Sequence, residues 1–212
     1  MGVDYPTGDD VSYTYDDTGN IATMTVGATT TTYTYDDNGN LTGDGTNSYI
    51  YDYRNMLTSA TVNSTTTDFA YDGDGTRASK TVGSTTTPYL YDRESGFPLL
   101  VDDGTNAYLQ QDGALASIDS SGDPSYLLDD ALGSVRGVTD DGGTLTAAAD
   151  YNVFGSLRVG DTLPLGYTGE QADAETGLTY LRARYLDPAV GRFISADTVS
   201  PNAPGTQGFN GY

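Results

Sequence analysis

The 212 residues carry 30 acidic side chains against 9 basic ones, a net charge of −21, with neither cysteine nor histidine. That composition excludes a disulfide framework, thiolate and imidazole metal sites, cysteine nucleophiles and Ser-His-Asp chemistry. A chain this acidic repels phosphate backbones and anionic lipid, and no apolar run approaches the roughly 20 residues of a membrane span, so no nucleic acid and no membrane insertion are expected.

From the N-terminus, Tyr-Asp recurs at Tyr15-Asp16, Tyr35-Asp36, Tyr51-Asp52, Tyr71-Asp72 and Tyr91-Asp92, at steps of 20, 16, 20 and 20 residues. An aromatic stands two positions before each: Tyr13, Tyr33, Tyr49, Phe69 and Tyr89. Residues two apart on a strand share a face, so each repeat presents an aromatic pair to one side. Upstream, Val26-Gly27-Ala28-Thr29 aligns with Val62-Asn63-Ser64-Thr65 and Val82-Gly83-Ser84-Thr85. The unit reads as a β-hairpin whose two-residue turn needs positive φ at its first central residue. Thr and Tyr favour the strands, and segments such as Asp37-Asn38-Gly39-Asn40 favour a tight turn into the next hairpin. The third repeat is four residues short and predicts a shortened hairpin. The one helix expected is a short segment within Asp173–Leu178.

The C-terminal third adds an ordered series of motifs. It runs through Tyr126-Leu127-Leu128-Asp129-Asp130-Ala131-Leu132-Gly133, Asp150-Tyr151-Asn152-Val153-Phe154-Gly155, Gly166-Tyr167-Thr168-Gly169 and Tyr180-Leu181-Arg182-Ala183-Arg184-Tyr185-Leu186-Asp187-Pro188 to Gly191-Arg192-Phe193-Ile194-Ser195-Ala196-Asp197. This series resembles the Rhs-associated core, with Ala131 where that family usually has His. With the Tyr-Asp repeats, the resemblance to YD-repeat proteins of the Rhs type covers nearly the whole chain. It implies an all-β fold, a YD-repeat β-hairpin spiral or solenoid with an Rhs-core end segment. Rhs proteins, toxin-complex C subunits and teneurins wind such hairpins into a hollow shell, and many members cut themselves to free a C-terminal toxin. The organisation expected is a hairpin array over residues 1–110 continuous with a truncated core-like region over 111–212.

The family's aspartyl autoproteolysis would carry over onto Arg184 and Asp197. Its third group, the Asp of a later Asp-Pro-x-Gly segment, has no counterpart before Tyr212, and Ala196-Asp197-Thr198 departs from the family's frequent Asp-Pro. Autoproteolysis is therefore not expected. Asp187 and Asp197, with Arg182, Arg184 and Arg192 nearby, read instead as a salt-bridge brace. Asp72-Gly73-Asp74-Gly75 resembles part of a calcium loop, making Asp72 and Asp74 the candidate ligands, but it lacks the closing bidentate Glu and reads better as turn chemistry. Asn40-Leu41-Thr42 and Asn63-Ser64-Thr65 match the glycosylation sequon. The aromatic pairs suit packing between hairpins better than stacking on sugar.

The function expected is that of a non-enzymatic structural protein, a fragment of a toxin-encapsulating YD shell, secreted or at a cell surface. Its partner would be the remainder of a larger Rhs polypeptide. The alternative is an extracellular filament in which copies stack head to tail through unpaired strand edges, the all-negative first 53 residues meeting the Arg182–Arg192 cluster. An aspartyl autoprotease core is the third reading.

Overall fold

The computed structural model of the chain describes residues 2–3, 10–94, 96–110 and 114–197. Packing divides the chain into two compact units, Met1–Thr66 with Ile194–Tyr212, and Thr67–Phe193. The division falls inside a hairpin, whereas the sequence boundary at residue 110 follows the repeat pattern. Thr198 lies outside the described residues.

In the first unit, β1 (Gly2–Val3), β2 (Val11–Tyr15), β3 (Ile21–Val26) and β4 (Thr29–Thr32) form one antiparallel sheet in chain order. β5 (Thr34–Tyr35), β6 (Leu41–Gly43), β7 (Ser48–Tyr51) and β8 (Leu57–Val62) follow, each paired antiparallel with the next. The β6–β7 hairpin is the shortened third repeat. Ile21, Leu41, Tyr49, Leu57 and Ala60 are buried here. Ile194 joins them, its carbonyl accepting from the Leu41 N–H at 2.8 Å and the Tyr51 hydroxyl at 3.0 Å.

In the second unit, β9 (Thr65–Tyr71, entering from the first), β10 (Arg77–Val82) and β11 (Thr85–Pro88) pair antiparallel. An eight-stranded meander follows: β12 (Leu90–Asp92), β13 (Leu99–Asp102), β14 (Asn106–Gln110), β15 (Ala114–Asp119), β16 (Pro124–Asp129), β17 (Val135–Thr139), β18 (Leu145–Tyr151) and β19 (Leu157–Gly160). A last sheet contains β20 (Gln171–Asp173), β21 (Leu178–Leu181), β22 (Arg184–Asp187) and β23 (Arg192–Phe193). Leu100, Tyr108, Val135, Ala149, Leu163 and Leu165 form the apolar core, with Tyr89, Tyr91 and Tyr151 against it. Short loops and near-neighbour pairing make every sheet a sequential meander, the arrangement hairpins produce without crossovers.

The turn expectation holds: φ is +57° at Gly27, +50° at Asn63 and +59° at Gly83. Ser64 is also positive at +67°, so Asn63-Ser64 has the sign pattern of a type I′ turn, whose twist matches the flanking strands. Within repeats, Tyr33/Tyr35, Tyr49/Tyr51, Phe69/Tyr71 and Tyr89/Tyr91 lie on the sheltered face, while the residues between them are exposed. In the first repeat, Tyr15 is 48% exposed.

The Asp of each of the first four Tyr-Asp pairs organises the loop that follows. Asp16 Oδ1 accepts the N–H of Asn20, and the same i to i+4 bond recurs at Asp36, Asp52, Asp72, Asp119, Asp130, Asp140 and Asn152, at 2.8–3.1 Å. In each loop the backbone N–H of residue i donates to the carbonyl of i+4, and residue i+3 has positive φ. The sheet register shifts beside these loops, as at Thr14/Tyr15 and Leu128/Asp129, because a five-residue Asx-type loop delivers one strand a residue out of step.

Two glycines of this motif separate backbone strain from packing. At Gly143 (φ +78°) an added Cβ meets nothing within 4 Å, whereas at Gly155 (φ +92°) it would lie 2.6 Å from the Tyr167 ring. Gly143→Ala is expected to cost about 1 kcal/mol from the left-handed backbone alone. Gly155→Ala should cost clearly more in the same urea titration; equal losses would refute the ring contact.

The loop carboxylates also set the acid limit. Asp16 is held below the usual carboxylate range by the Thr18 hydroxyl and by donors from Asn20, and Asp130 by the Arg136 guanidinium. Depressed folded values mean that their stabilisation is present above about pH 4 and is lost as pH falls below it. Far-UV circular dichroism should therefore show the strand signal collapsing on the acid side of pH 4. Retention of the full signal at pH 2 would contradict this.

Candidate functional site

In the first four Tyr-Asp repeats, the position five residues after the Asp begins the next strand and points into the core. Ile21, Leu41 and Leu57 occupy it in the first three repeats, at 4%, 4% and 2% exposure. In the fourth repeat it is Arg77, with no exposed surface at all. A charge is thus placed where the repeat demands an apolar side chain, and its surroundings are built to receive it.

Arg77 Nη1 donates to Asp173 Oδ2, and to the Tyr185 hydroxyl at 3.3 Å, while the Arg77 backbone N–H donates to the Tyr180 hydroxyl at 3.0 Å. The guanidinium carbon lies 4.4 Å from the ring centre of Tyr180, 4.6 Å from Tyr89, 5.6 Å from Phe69 and 5.8 Å from Tyr185. Among the described residues, Nε and Nη2 meet no acceptor in good hydrogen-bond geometry, and aromatic faces lie against them, as cation–π attraction allows. Burial works against the Arg77 charge, but the Asp173 carboxylate and the surrounding tyrosines together outweigh it and hold the group charged.

A second cation completes the cluster. Lys80 Nζ reaches Asp173 Oδ1 at 3.4 Å and Glu175 Oε2 at 2.8 Å. Burial opposes the Glu175 charge, but Lys80, a backbone N–H and Arg77 together outweigh it, so the Glu175 carboxyl sits below its usual range. Tyr71 donates to the Tyr185 hydroxyl at 3.2 Å, and burial pushes both phenols upward. Beside the cluster, Lys80, Tyr89, Asp103, Gln171, Asp173 and Glu175 line a cleft of about 320 Å³. The carboxylates of the cluster are engaged by cations, an arrangement that ties the repeat strand β10 to β20 and β22 and makes the pairing specific.

Asp173 sits where the sequence predicts a helix, and the structure corrects that expectation. Residues 174–177 are a tight turn between β20 and β21, in which the Asp173 carbonyl accepts from Thr176 at 3.1 Å and Gly177 at 2.8 Å. Gly177 has φ +71°, incompatible with a continuing helix, and the Asp173 side chain is drawn inward by Arg77.

The residues singled out from sequence are distributed differently. Arg184, in the second unit, lays its guanidinium 3.7 Å from the centre of the Phe193 ring. Asp197 is exposed and belongs to the first unit. Asp187 Oδ1 accepts the Ala189 N–H at 2.8 Å and pairs in register with Arg192. Arg182 turns to Glu170 at 2.7 Å and to the Pro98 carbonyl at 3.1 Å. Asp72 and Asp74 are bridged by Arg93, the Asp74 bond measuring 2.8 Å, while Asp72 Oδ1 holds its own loop. Asn40 is 1% exposed, with Nδ2 bonded to Asp36 and Asn55, so this sequon residue is part of a loop core. Asn63 is exposed at its turn. Arg77, Lys80, Asp173, Tyr180 and Tyr185 escape sequence reasoning; the available signal was the Arg standing at an apolar repeat position.

A family model described as teneurin YD-shell matches residues 103–212, just over half of the chain. Over 81 residues the chain is 37% identical to the double-stranded DNA deaminase toxin A of Burkholderia cenocepacia, a match covering 34% of this chain and 6% of that protein. Over 100 residues it is 34% identical to the tRNA3(Ser)-specific nuclease WapA of Bacillus spizizenii, covering 44% of this chain and 4% of the nuclease. Among solved structures, TcdB2-TccC3 superposes with a TM-score of 0.69 at 18% identity, over 96% of this chain and 13% of that one. The Photorhabdus luminescens Tc holotoxin pore superposes with a TM-score of 0.65 at 20% identity, over 96% and 12%. The chain therefore spans only a small part of each protein it matches, and at these identities the solved structures bear on fold alone. An all-β run of Tyr-Asp hairpins, a matching fold and a family match over the C-terminal half lead to one assignment: the chain belongs to the teneurin YD-shell family.

Proposed function

We propose that this chain is a non-enzymatic wall segment of a toxin-enclosing YD shell, secreted or displayed at a cell surface, whose partner is the rest of a larger polypeptide. The observation that carries the reading is the Arg77 cluster. Its buried charge is committed to joining a repeat hairpin to the C-terminal strands, which is the work of a wall. Support also comes from length: the curated relatives, one named a toxin and one a nuclease, are matched over 6% and 4% of their extent. Among the described residues, no helix is long and apolar enough to cross a membrane.

The self-cleaving reading requires Asp197 to act. Incubated from pH 4 to 8 and weighed by mass spectrometry, the purified chain is expected to stay intact. Fragments that form in the chain as it stands and vanish in Asp197→Asn would replace the wall reading with an autoprotease.

One observation favours self-assembly as a second reading. β19 ends the eight-stranded order, and all four of its residues, Leu157 to Gly160, are exposed. Such an edge can accept a further strand. Sedimentation and negative-stain microscopy across a salt series separate the two readings. Fibres that grow as salt screens the −21 charge favour the filament, and a single small particle throughout favours the wall segment.

A further inference from the structure

In the eight-stranded sheet of the second unit, Tyr108, Leu127, Val138, Ala147 and Ala149 lie on the core side. Their chain neighbours point the opposite way, and the strand register fixes which of these stand side by side. Leu109 pairs with Ala116 and Ala116 with Tyr126, while Leu128 pairs with Gly137 and Gly137 with Ala148. Ile118, two residues along β15 from Ala116, shares this face. A Cβ added at Gly137 would lie 3.1 Å from Leu145 Cδ1 and 3.4 Å from Leu128 Cδ1, so the two leucine side chains meet over the bare glycine.

Five large apolar side chains therefore form one patch from β14 to β18. It is about 19 Å wide at about 4.8 Å between strands. Leu109 is 63% exposed, Leu145 58%, Leu128 48%, Ile118 47% and Tyr126 44%. An antiparallel sheet with one solvated face normally turns polar side chains outward. The first unit keeps to that rule: Thr14 bonds Thr23 at 2.6 Å and Thr25 bonds Thr30 at 2.9 Å, hydroxyl to hydroxyl, on the exposed face of β2, β3 and β4. A single exposed leucine is ordinary, whereas a contiguous set marks an interaction surface.

The rim of the patch indicates what covers it. The β15–β16 and β17–β18 loops stand at one end and carry Asp119, Asp123, Asp140 and Asp141. The Tyr126 hydroxyl lies 3.5 Å from Asp141 Oδ1, so the acidic rim adjoins the apolar surface. Between Glu94 and Leu157 the sequence holds one basic residue, Arg136, and it is committed to Asp130 and Asp150.

We infer that this face docks a segment of a partner protein whose apolar side chains are flanked by lysine or arginine. The patch calls for the apolar side chains, and the rim calls for the cations. A second copy of the chain would bring a further −21 charge and the same acidic rim. An anionic lipid surface would meet the same repulsion.

The test is fluorescence anisotropy of a fluorescein-labelled amphipathic peptide of leucine and lysine, titrated with the full chain. Two control peptides carry serine for every leucine or glutamate for every lysine. The leucine–lysine peptide should bind, and each control at least about tenfold more weakly. Leu109→Ser should lower the affinity about fivefold, and Leu128→Ser with Leu145→Ser at least about tenfold, with circular dichroism unchanged. Ile50→Ser removes a side chain that is 61% exposed in the first unit and should leave binding as it is. Asp123→Asn with Asp141→Asn should weaken binding and flatten its salt dependence. Equal binding of the serine peptide, or full affinity in Leu109→Ser, would reduce the effect to general charge attraction and overturn the inference. Dimerisation of the chain alone in sedimentation, or flotation with phosphatidylcholine vesicles, either one lost in Leu109→Ser, would instead give the face to a second copy or to lipid.

Discussion

Asp173→Asn is expected to destabilise the second unit by about 3–5 kcal/mol, the usual cost of leaving one charge of a fully buried pair uncompensated. Both partners are essentially without exposed side-chain surface, so solvent screening offers no relief. The surrounding rings can stabilise a cation but cannot replace a carboxylate. Lys80 would keep Glu175, at 2.8 Å, so the loss centres on Arg77. The double variant Arg77→Met with Asp173→Leu, which removes both charges and keeps apolar volume, should recover most of that loss. Urea unfolding followed by tyrosine fluorescence measures both. A loss under about 1 kcal/mol in Asp173→Asn would mean that water reaches the guanidinium and that the pair is not the brace described.

Alkaline pH should produce the other large effect. Tyr71, Tyr89, Tyr91, Tyr108, Tyr151, Tyr180 and Tyr185 are all pushed above the ordinary phenol value of 10.0, in each case chiefly by burial. A folded value above the unfolded one means that their stabilisation is complete below pH 10 and is lost as pH rises beyond it, because the unfolded chain releases the phenolic protons first. With seven such groups in one unit, ionisation and unfolding should be linked. Absorbance near 295 nm from this buried set is expected to rise only well above pH 10, together with loss of near-ultraviolet dichroism. One smooth titration centred at pH 10 for every tyrosine would show that these rings are hydrated.

Much of the architecture was legible because its cause is local. A Thr-rich strand, a two-residue turn needing positive φ and a Tyr-Asp followed by Gly each act within a few residues. The hairpins and the short third repeat therefore appear where the pattern puts them. The Asp loop was more general than the Tyr-Asp motif that revealed it. Asp119, Asp130 and Asp140 build the same loop with other residues before them, and Asn152 builds it after Tyr151 with an amide, since the carboxylate or amide oxygen and the positive φ three residues on are all it requires. The expected helix at Asp173–Leu178 failed for a related reason. Its Glu and Ala content suits a helix, but Gly177 and the inward pull on Asp173 close a turn instead.

Strand pattern, turn chemistry and family thus came from the chain read in order, because period-two alternation and loop hydrogen bonds are short-range. The partners of the charges did not. Arg77 and Asp173 are 96 residues apart, Lys80 and Glu175 95, and nothing in their neighbourhoods indicates which acid meets which base. With 30 acids available to 9 bases, local sequence offers many equivalent pairings. Only the packing of β10 against β20 and β22 selects one, by removing water from a single guanidinium and leaving one carboxylate within its reach.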